Sequence, residues 1–414
     1  MKDKTTSKKD SSRVAWDSLE AWARGEIESW LQDLLYEEVT ELLGREKSER
    51  RKPVDAPRGY RNGYGKSRNL TMSIGTVTVR RPRVRDVEER FESQVLPLFK
   101  RRTETVSELI PELYLHGLAQ GDFDLALRGL LGEKAPLSAS TVARLKQKWQ
   151  TEYEQWLGRP LDELEVVYLW VDGVYVKAGL EKDKAAVLVA VAGLSDGTKV
   201  VLTLEAGHRE SEASWSSLLR GLKKRGLRTP KLIVGDGHLG IWAAIRNVFP
   251  EAKEQRCWNH RILNVLDRVP KKNQLQAKSL LTAIPYAESR EECEKLKGKF
   301  QDWCDRKNLP EAARILDEDW DRMVTFYSFP KPHWQHLRTS NVVESPFAAL
   351  RLRTDAAKRF KRVDSATATI FKLLLVAEKN FRRLNAPELV RKVYLGIRFE
   401  DGERVTESSE VAAA

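Results

Sequence analysis

Between residues 166 and 235 the chain carries four short apolar runs, VVYLWVDGVYVK, AAVLVAVAGL, KVVLTLEAG and KLIVG. They are rich in β-branched residues and bounded by glycine, which suits buried strands better than helices. Ser195, Asp196 and Gly197 supply the turn between the second and third runs. Residues 211–226 read as a helix before the fourth run. After it, Ile241, Trp242 and Ile245 recur at helical spacing, and EAKEQRC (251–257) leads in a fifth strand. The series therefore constrains the fold to an α/β sheet: three antiparallel strands, a helix, a parallel strand, a helix and a strand.

That order matches the ribonuclease-H-like fold. Two of its runs have a carboxylate followed by glycine, Asp172 in VYLWVDG and Asp236 in LIVGDG. Open α/β sheets place their ligand sites at the carboxyl ends of strands. An aspartate at position 236 also suits the N-cap of the following helix, and that stretch alone does not separate the two readings. A buried lone carboxylate is costly unless it is paired or metal-bound. Two such aspartates on one sheet are best explained by a shared cation, although two carboxylates also form the acid/base pair of glycosidases.

A two-metal phosphoryl site holds cations about 3.5–4 Å apart and wants a third carboxylate. Mg²⁺ prefers oxygen ligands and keeps several waters, so few protein carboxylates suffice. Glu344, in RTSNVVESPFAALRLRT, is the candidate. Thr339 or Ser340 suits a helix cap there, and Pro346 fits only in a first turn. Glu205, Glu210, Glu212 and Glu254 are rivals, and spacing alone does not choose among them.

Charge narrows the chemistry. The 414 residues carry a net charge of +12 and 41% hydrophobic residues. Residues 50–85 hold eleven Arg or Lys against one acid, and residues 351–383 hold ten against three. Both runs interleave aromatics (Tyr60, Tyr64, Phe360, Phe371, Phe381), as nucleic-acid surfaces do. The basic surface favours a phosphodiester substrate over a sugar. No stretch of eighteen apolar residues occurs and the N-terminus lacks an apolar signal segment, so neither a membrane span nor secretion is expected. Three cysteines fit a reducing compartment.

Upstream, residues 1–12 read as disordered and 14–43 as a helix closed by Gly44, with Gly25 as an interruption. Asn62-Gly63 reads as a turn, and LTMSIGTVTV as a β-hairpin bending at Gly75. Arg61, Lys66, Arg68, Arg80, Arg81, Arg83 and Arg85 make this a basic ribbon able to follow a phosphate backbone. Residues 104–157 read as three amphipathic helices separated at Gly121 and Gly132–Pro136, the last starting at Ser138 or Ser140. Short helix, turn and longer helix form a helix-turn-helix pattern, with Arg144, Lys146 and Lys148 placed to touch DNA; an ordinary helical bundle fits equally well.

Cys257 and His260, in CWNH, have a zinc-like spacing. A structural zinc needs four ligands, and Cys293 and Cys304 lack a chelating spacing. His238 and Arg209 are further candidates, beside the metal or leaving oxygen and on DNA respectively. Trp303, Trp320 and Trp334 suit stacking on an unpaired base or, for at least two of them, core packing.

The segments GYRNGYGKSRNL, TVTVRRPRVRD, VDGVYVK, HRESEASWSSLLRGLKKRGL, LIVGDGHLGIWAAI, CWNH and TSNVVES, in this order and spacing over roughly 55–385, resemble bacterial insertion-sequence transposases of the Mutator-type DDE class. The resemblance implies that Asp172, Asp236 and Glu344 form the metal-binding triad, holding two Mg²⁺ (or Mn²⁺) ions for DNA strand cleavage and strand transfer. It implies water and then a 3′-hydroxyl as nucleophiles, with no covalent protein–DNA intermediate. It also implies outer roles for Cys257 and His260, orienting Asp236 or a DNA phosphate. The separation of 108 positions from Asp236 to Glu344 far exceeds one strand–helix–strand step of about 30 residues, as an α-helical insertion would require. After Glu344 the chain departs from the family pattern, and Arg351 and Arg353 are DNA-contact candidates there.

The expected layout is a mainly helical N-terminal DNA-binding region with a small hairpin (13–160), a catalytic core (161–261 and 336–385), an insertion (262–335) and a C-terminal tail (386–414). The expected partners are double-stranded DNA, both terminal inverted repeats and target, and a second copy of the chain, because an element has two ends. Neither a membrane nor a small-molecule substrate is expected, and the location is the bacterial cytoplasm, at the nucleoid. The alternatives are a resolvase or nuclease of the same fold and a non-catalytic DNA-binding protein descended from a transposase. A glycosidase is a more distant one.

Overall fold

The computed structural model describes residues 18–50, 58–118, 122–132, 134–135, 140–179, 185–207, 210–237 and 239–405. They form two compact units, divided after Leu145.

In the first unit, α1 spans Leu19–Leu43 and stops at Gly44, whose φ of 60° is left-handed. Gly25 stays inside the helix rather than interrupting it. Leu35, Val39 and Leu43, spaced by four, are its buried stripe. β1 (Tyr60–Met72) and β2 (Gly75–Arg85) pair antiparallel, with Met72 opposite Gly75, so Ser73 and Ile74 make the turn. Leu35, Val79 and Leu96 form the core between helix and ribbon. Glu28 accepts the Thr78 N–H at 2.9 Å, fixing α1 on the outer strand. Asn62-Gly63 is not a chain-reversing turn. It lies inside β1 at a register shift, where Gly63 takes a φ of 64°; the extra length bulges the strand instead of ending it. Three helices follow as expected: α2 (Glu104–Leu115), α3 (Phe123–Leu131) and α4 (Ser140–Leu157). Ser138 lies outside the described residues.

The second unit is built on β3 (Val166–Val176), β4 (Ala185–Leu194), β5 (Lys199–Gly207), β6 (Leu232–Gly235) and β7 (Lys253–Arg256), with α5 (Glu212–Lys224) and α6 (Leu239–Val248) between the later strands. The strand order is β5-β4-β3-β6-β7. The first three strands pair antiparallel, and β6 and β7 join them in parallel. One face is a single apolar core: Leu169, Val171, Leu188, Ala190 and Ile233 pack against Trp215, Leu218, Leu219 and Leu222 of α5 and Ile241, Trp242 and Ile245 of α6. Burying each such side chain contributes about 1.5–3 kcal/mol, so α5's stripe is a packing surface.

The remaining chain is helical: α7 (Trp258–Leu266), α8 (Lys271–Ala283), α9 (Arg290–Arg306), α10 (Pro310–Asp317), α11 (Trp320–Met323), α12 (Trp334–Leu337), α13 (Asn341–Glu344), α14 (Phe347–Ala356), α15 (Val363–Glu378) and α16 (Pro387–Tyr394). The short pair β8 (Phe399–Glu400) and β9 (Glu403–Arg404) closes it. This part covers the other sheet face. Tyr168 hydroxyl meets His333 Nδ1 at 2.7 Å, and the Trp170 indole donates to the His336 carbonyl at 2.8 Å. Tyr168, Trp170 and Asp172 alternate onto this same face. Trp303 and Trp334 are buried in packing. Trp320 is half-buried, donates its indole N–H to Glu294 at 2.6 Å and has the Lys297 ammonium 4.2 Å from its ring centroid. No described helix is long and apolar enough to cross a membrane.

Candidate active site

Parallel register brings the two aspartates together. β3 and β6 pair at Trp170↔Val234, and two residues further on lie Asp172 and Asp236. β6 and β7 pair at Gly235↔Arg256, and the next position on β7 is Cys257. Two carboxylates and a thiol thus stand in a row across neighbouring strand ends. The Cys257 N–H donates to the Gly235 carbonyl at 2.8 Å and extends the ladder by one step. Gly237 has a φ of 97°, and a Cβ there would fall 2.1 Å from Arg256 Nε, so the turn after Asp236 requires glycine. α6 begins at Leu239, three residues after Asp236 rather than directly after it, against the helix-cap reading.

Glu344 reaches the same neighbourhood from the opposite face of the sheet. Pro346 ends the one-turn α13 just after Glu344 and starts α14 as a separate helix, which is how the chain accommodates it. Ser340 occupies the cap position of α13 but makes no cap bond. Its hydroxyl is spent on the Glu344 carboxylate instead. The Ser340 N–H donates to Cys257 Sγ at 3.3 Å, and both residues are fully buried. Trp258 N–H holds the Arg338 carbonyl at 2.9 Å. The β7–α7 junction therefore braces the Glu344 helix against the strand that ends on Asp236. His260 Nδ1 lies 3.9 Å from Glu344 Oε1.

Two clusters result. The ligand atoms of Asp172, Glu210 and Asp236 lie within 4.8 Å of one another, and so do those of Cys257, His260 and Glu344. They share one electrostatic field. Burial, then the charge of Asp236, pushes the Asp172 carboxyl up to about 8; Glu344 adds to the rise, while the Gly173 N–H, 2.8 Å from Asp172 Oδ1, and His260 oppose it. His260 is raised to about 9, first by its hydrogen bond with Cys257 and then by the charges of Cys257, Glu344 and Asp172, against the cost of burial. A buried carboxyl that resists ionisation beside other carboxylates, as Asp172 does, marks a place short of positive charge. Its donors are all oxygens, the set that hard divalent cations prefer.

Of the rival acids only Glu210 joins this centre, and nothing in its spacing singled it out. Glu254 is paired with Arg322 and Arg246. Glu212 accepts from Asn247 at 3.2 Å. Glu205 feels Arg225 as its neighbouring cation. Arg209 and His238 lie outside the described residues. The three cysteines are free thiols, and Cys293 and Cys304 are absent from both clusters, so the four-ligand zinc site has no support among the described residues.

The cations expected on DNA separate into two sorts. Lys66, Arg80, Arg83, Arg85, Arg144, Lys148 and Arg351 are exposed, and Lys146 is half-buried. Arg61 donates to Thr40 and to the Arg45 carbonyl, Arg68 to the carbonyls of Pro97 and Lys100, and Arg81 to the Phe91 carbonyl at 2.8 Å. These three hold the ribbon to the chain around it. Arg353 is 2% exposed, which corrects its assignment as a DNA contact: a guanidinium enclosed by protein presents no donor to a phosphate.

The Mutator family of transposases matches residues 2–383. The chain is 40% identical over 306 residues to the transposase for insertion sequence element IS6120 of Mycolicibacterium smegmatis, covering 74% of this chain and 94% of that one. It is 37% identical over 279 residues to the transposase for element IST2 of Acidithiobacillus ferrooxidans, covering 67% and 94%. The transposase for element ISRM5 of Rhizobium meliloti is 28% identical over 365 residues, 87% and 88% of the two chains. With nearly its whole length matched, the chain belongs to the Mutator family of transposases.

Proposed function

We propose that this transposase cuts and joins DNA strands at the terminal inverted repeats of an insertion sequence, with Asp172, Asp236 and Glu344 as its metal-binding acids. The observation that carries the proposal is the row of strand-end carboxylates, in which Asp172 is held up to about 8 by burial and by Asp236. Mg²⁺ or Mn²⁺, two ions per site, fits that oxygen donor set. When bound, the ions polarise the attacking oxygen and neutralise charge on the leaving one. The chain's own contribution is placement. Register fixes Asp172 beside Asp236, and the Ser340–Cys257 brace fixes Glu344 toward them. Core side chains exclude water from the sheet beneath.

The reading places a ribonuclease-H-like core at 161–261 and 336–385, around a helical insertion at 262–335. Residues 13–160 bind the inverted repeats through the exposed cations of the hairpin and of α4, and two copies act on the two element ends. Target DNA is the second duplex. The test is a labelled duplex carrying the chain's own element end, incubated with Mg²⁺, with EDTA, and with Asp236→Asn. Metal-dependent cutting at the element end, with a variant that binds the end but leaves it whole, is the expected result. Cutting at unrelated sequences with equal rate would instead favour a nuclease of the same fold.

A further inference from the structure

We infer that Glu210 is a fourth carboxylate of the catalytic site, reaching the cations from the α5 side of the sheet while Glu344 reaches them from the α13 side. The inference rests on the proposed roles of Asp172 and Asp236 and goes beyond them. Glu210 lies between the end of β5 and the start of α5. The next residue, Ser211, caps α5 by accepting the Ser214 N–H at 3.2 Å, so the backbone that carries Glu210 is fixed by a helix end. Its side chain is 9% exposed, and its carboxylate lies within 4.8 Å of the carboxylates of Asp172 and Asp236.

The sheet is cut away to admit it. A Cβ on Gly173 would stand 2.2 Å from Glu210 Oε1 and 2.5 Å from its Cδ. No other residue type at position 173 leaves that side chain where it is. Gly173 follows Leu169 and Val171 onto the α5 face, whereas Asp172 alternates onto the face covered by α13. Tyr175, the next residue on Gly173's face, is hydrogen-bonded to Glu210. Position and notch together set this carboxylate beside the two aspartates. Glu205, Glu212 and Glu254 have other neighbours, as given above. With four acids, each side of the Asp172–Asp236 pair has its own glutamate. Two cations a few ångströms apart call for anionic ligands from more than one direction.

The test measures Mn²⁺ binding by the full chain alone, by electron paramagnetic resonance, beside Mg²⁺-dependent cleavage of the element-end duplex. Glu210→Gln is expected to bind the DNA end as wild type does, to bind Mn²⁺ on the order of tenfold more weakly, and to need correspondingly more Mg²⁺ for cleavage. Gly173→Ala, which fills the notch, is expected to reproduce the defect, and Glu210→Asp to restore part of the affinity. Asp236→Asn separates the two levels of the argument. If it abolishes Mn²⁺ binding and cleavage while Glu210→Gln and Gly173→Ala keep both at wild-type values, Glu210 is a bystander and the inference is overturned. If Asp236→Asn also keeps both, the underlying site is wrong. Should Glu210→Gln fail to fold, Glu210→Asp and Gly173→Ala decide the matter by the same measurements.

Discussion

The two clusters at the end of the sheet are built differently. Asp172 and Asp236 are placed by strand register, and a strand cannot slip by one residue without turning its whole buried face outward. His260 is placed by the first turn of α7 and Glu344 by the one-turn α13, which is held to the strand end at Cys257 through single hydrogen bonds such as Ser340 N–H to Cys257 Sγ. The first cluster has its geometry guaranteed by the apolar core beneath it. The second depends on a few polar contacts that one substitution removes. The difference teaches where damage is expected to be total and where it is expected to be graded.

The largest effect is therefore expected at the first cluster. Asp172→Asn is predicted to lower cleavage by on the order of a thousandfold while retaining end binding, as a gel-shift assay beside a cleavage assay would show. Equal loss of binding would break the comparison, because it would mean that the strand end supports the fold rather than the chemistry.

Stability follows in size. Asp172 is raised from 3.8 to about 8 by the fold, so the native state favours its protonated form. In EDTA this group's contribution is present below about pH 4 and is lost as pH rises to about 8. At about 1.4 kcal/mol per pKa unit the loss is several kcal/mol. Asp172→Asn should flatten the fall of melting temperature between pH 4 and 8, and Mg²⁺ should flatten it in the wild type. His260, raised from 6.5 to about 9, contributes stability below 6.5 that is lost as pH rises through 9. His260→Ala should remove only that later, smaller part, since the imidazole is partly solvated.

The brace comes next. Ser340→Ala frees Glu344 from its hydroxyl partner and is expected to raise the Mg²⁺ requirement about tenfold with little change in melting temperature. Cys257→Ser should be milder than Cys257→Ala, because a hydroxyl can still accept the Ser340 N–H. Smallest are the exposed cations. Lys66→Ala or Arg83→Ala should each reduce the salt slope of DNA binding by about one. Arg353→Ala should leave that slope unchanged and lower the melting temperature, because its guanidinium is buried.

What could be read from the sequence follows the same division. The strands, their order and both aspartates were legible because β-branched runs and Asp-Gly endings are local signals. Glu344 was legible only through its setting in TSNVVES, and Glu210 merely as one of several acids, because what selects it is a missing side chain 37 residues away, at Gly173. Asn62-Gly63 misled because the dipeptide that turns a hairpin also fits a bulge. The basic run at 50–85 was legible as charge, but charge does not say which guanidiniums the protein keeps for itself, as it does Arg61, Arg68 and Arg81. Cys257 looked like half of a zinc motif, and its hydrogen bond to a backbone 83 residues away leaves no trace in local spacing.

The most direct test of metal ligation at the strand end is Asp236→Cys, with element-end cleavage scored in Mg²⁺ and in Mn²⁺. A thiolate is a poor ligand for Mg²⁺ and a better one for Mn²⁺. The account predicts a variant that is inactive in Mg²⁺ and regains cleavage in Mn²⁺. Wild-type cleavage in Mg²⁺ would show that position 236 holds no cation and would contradict it.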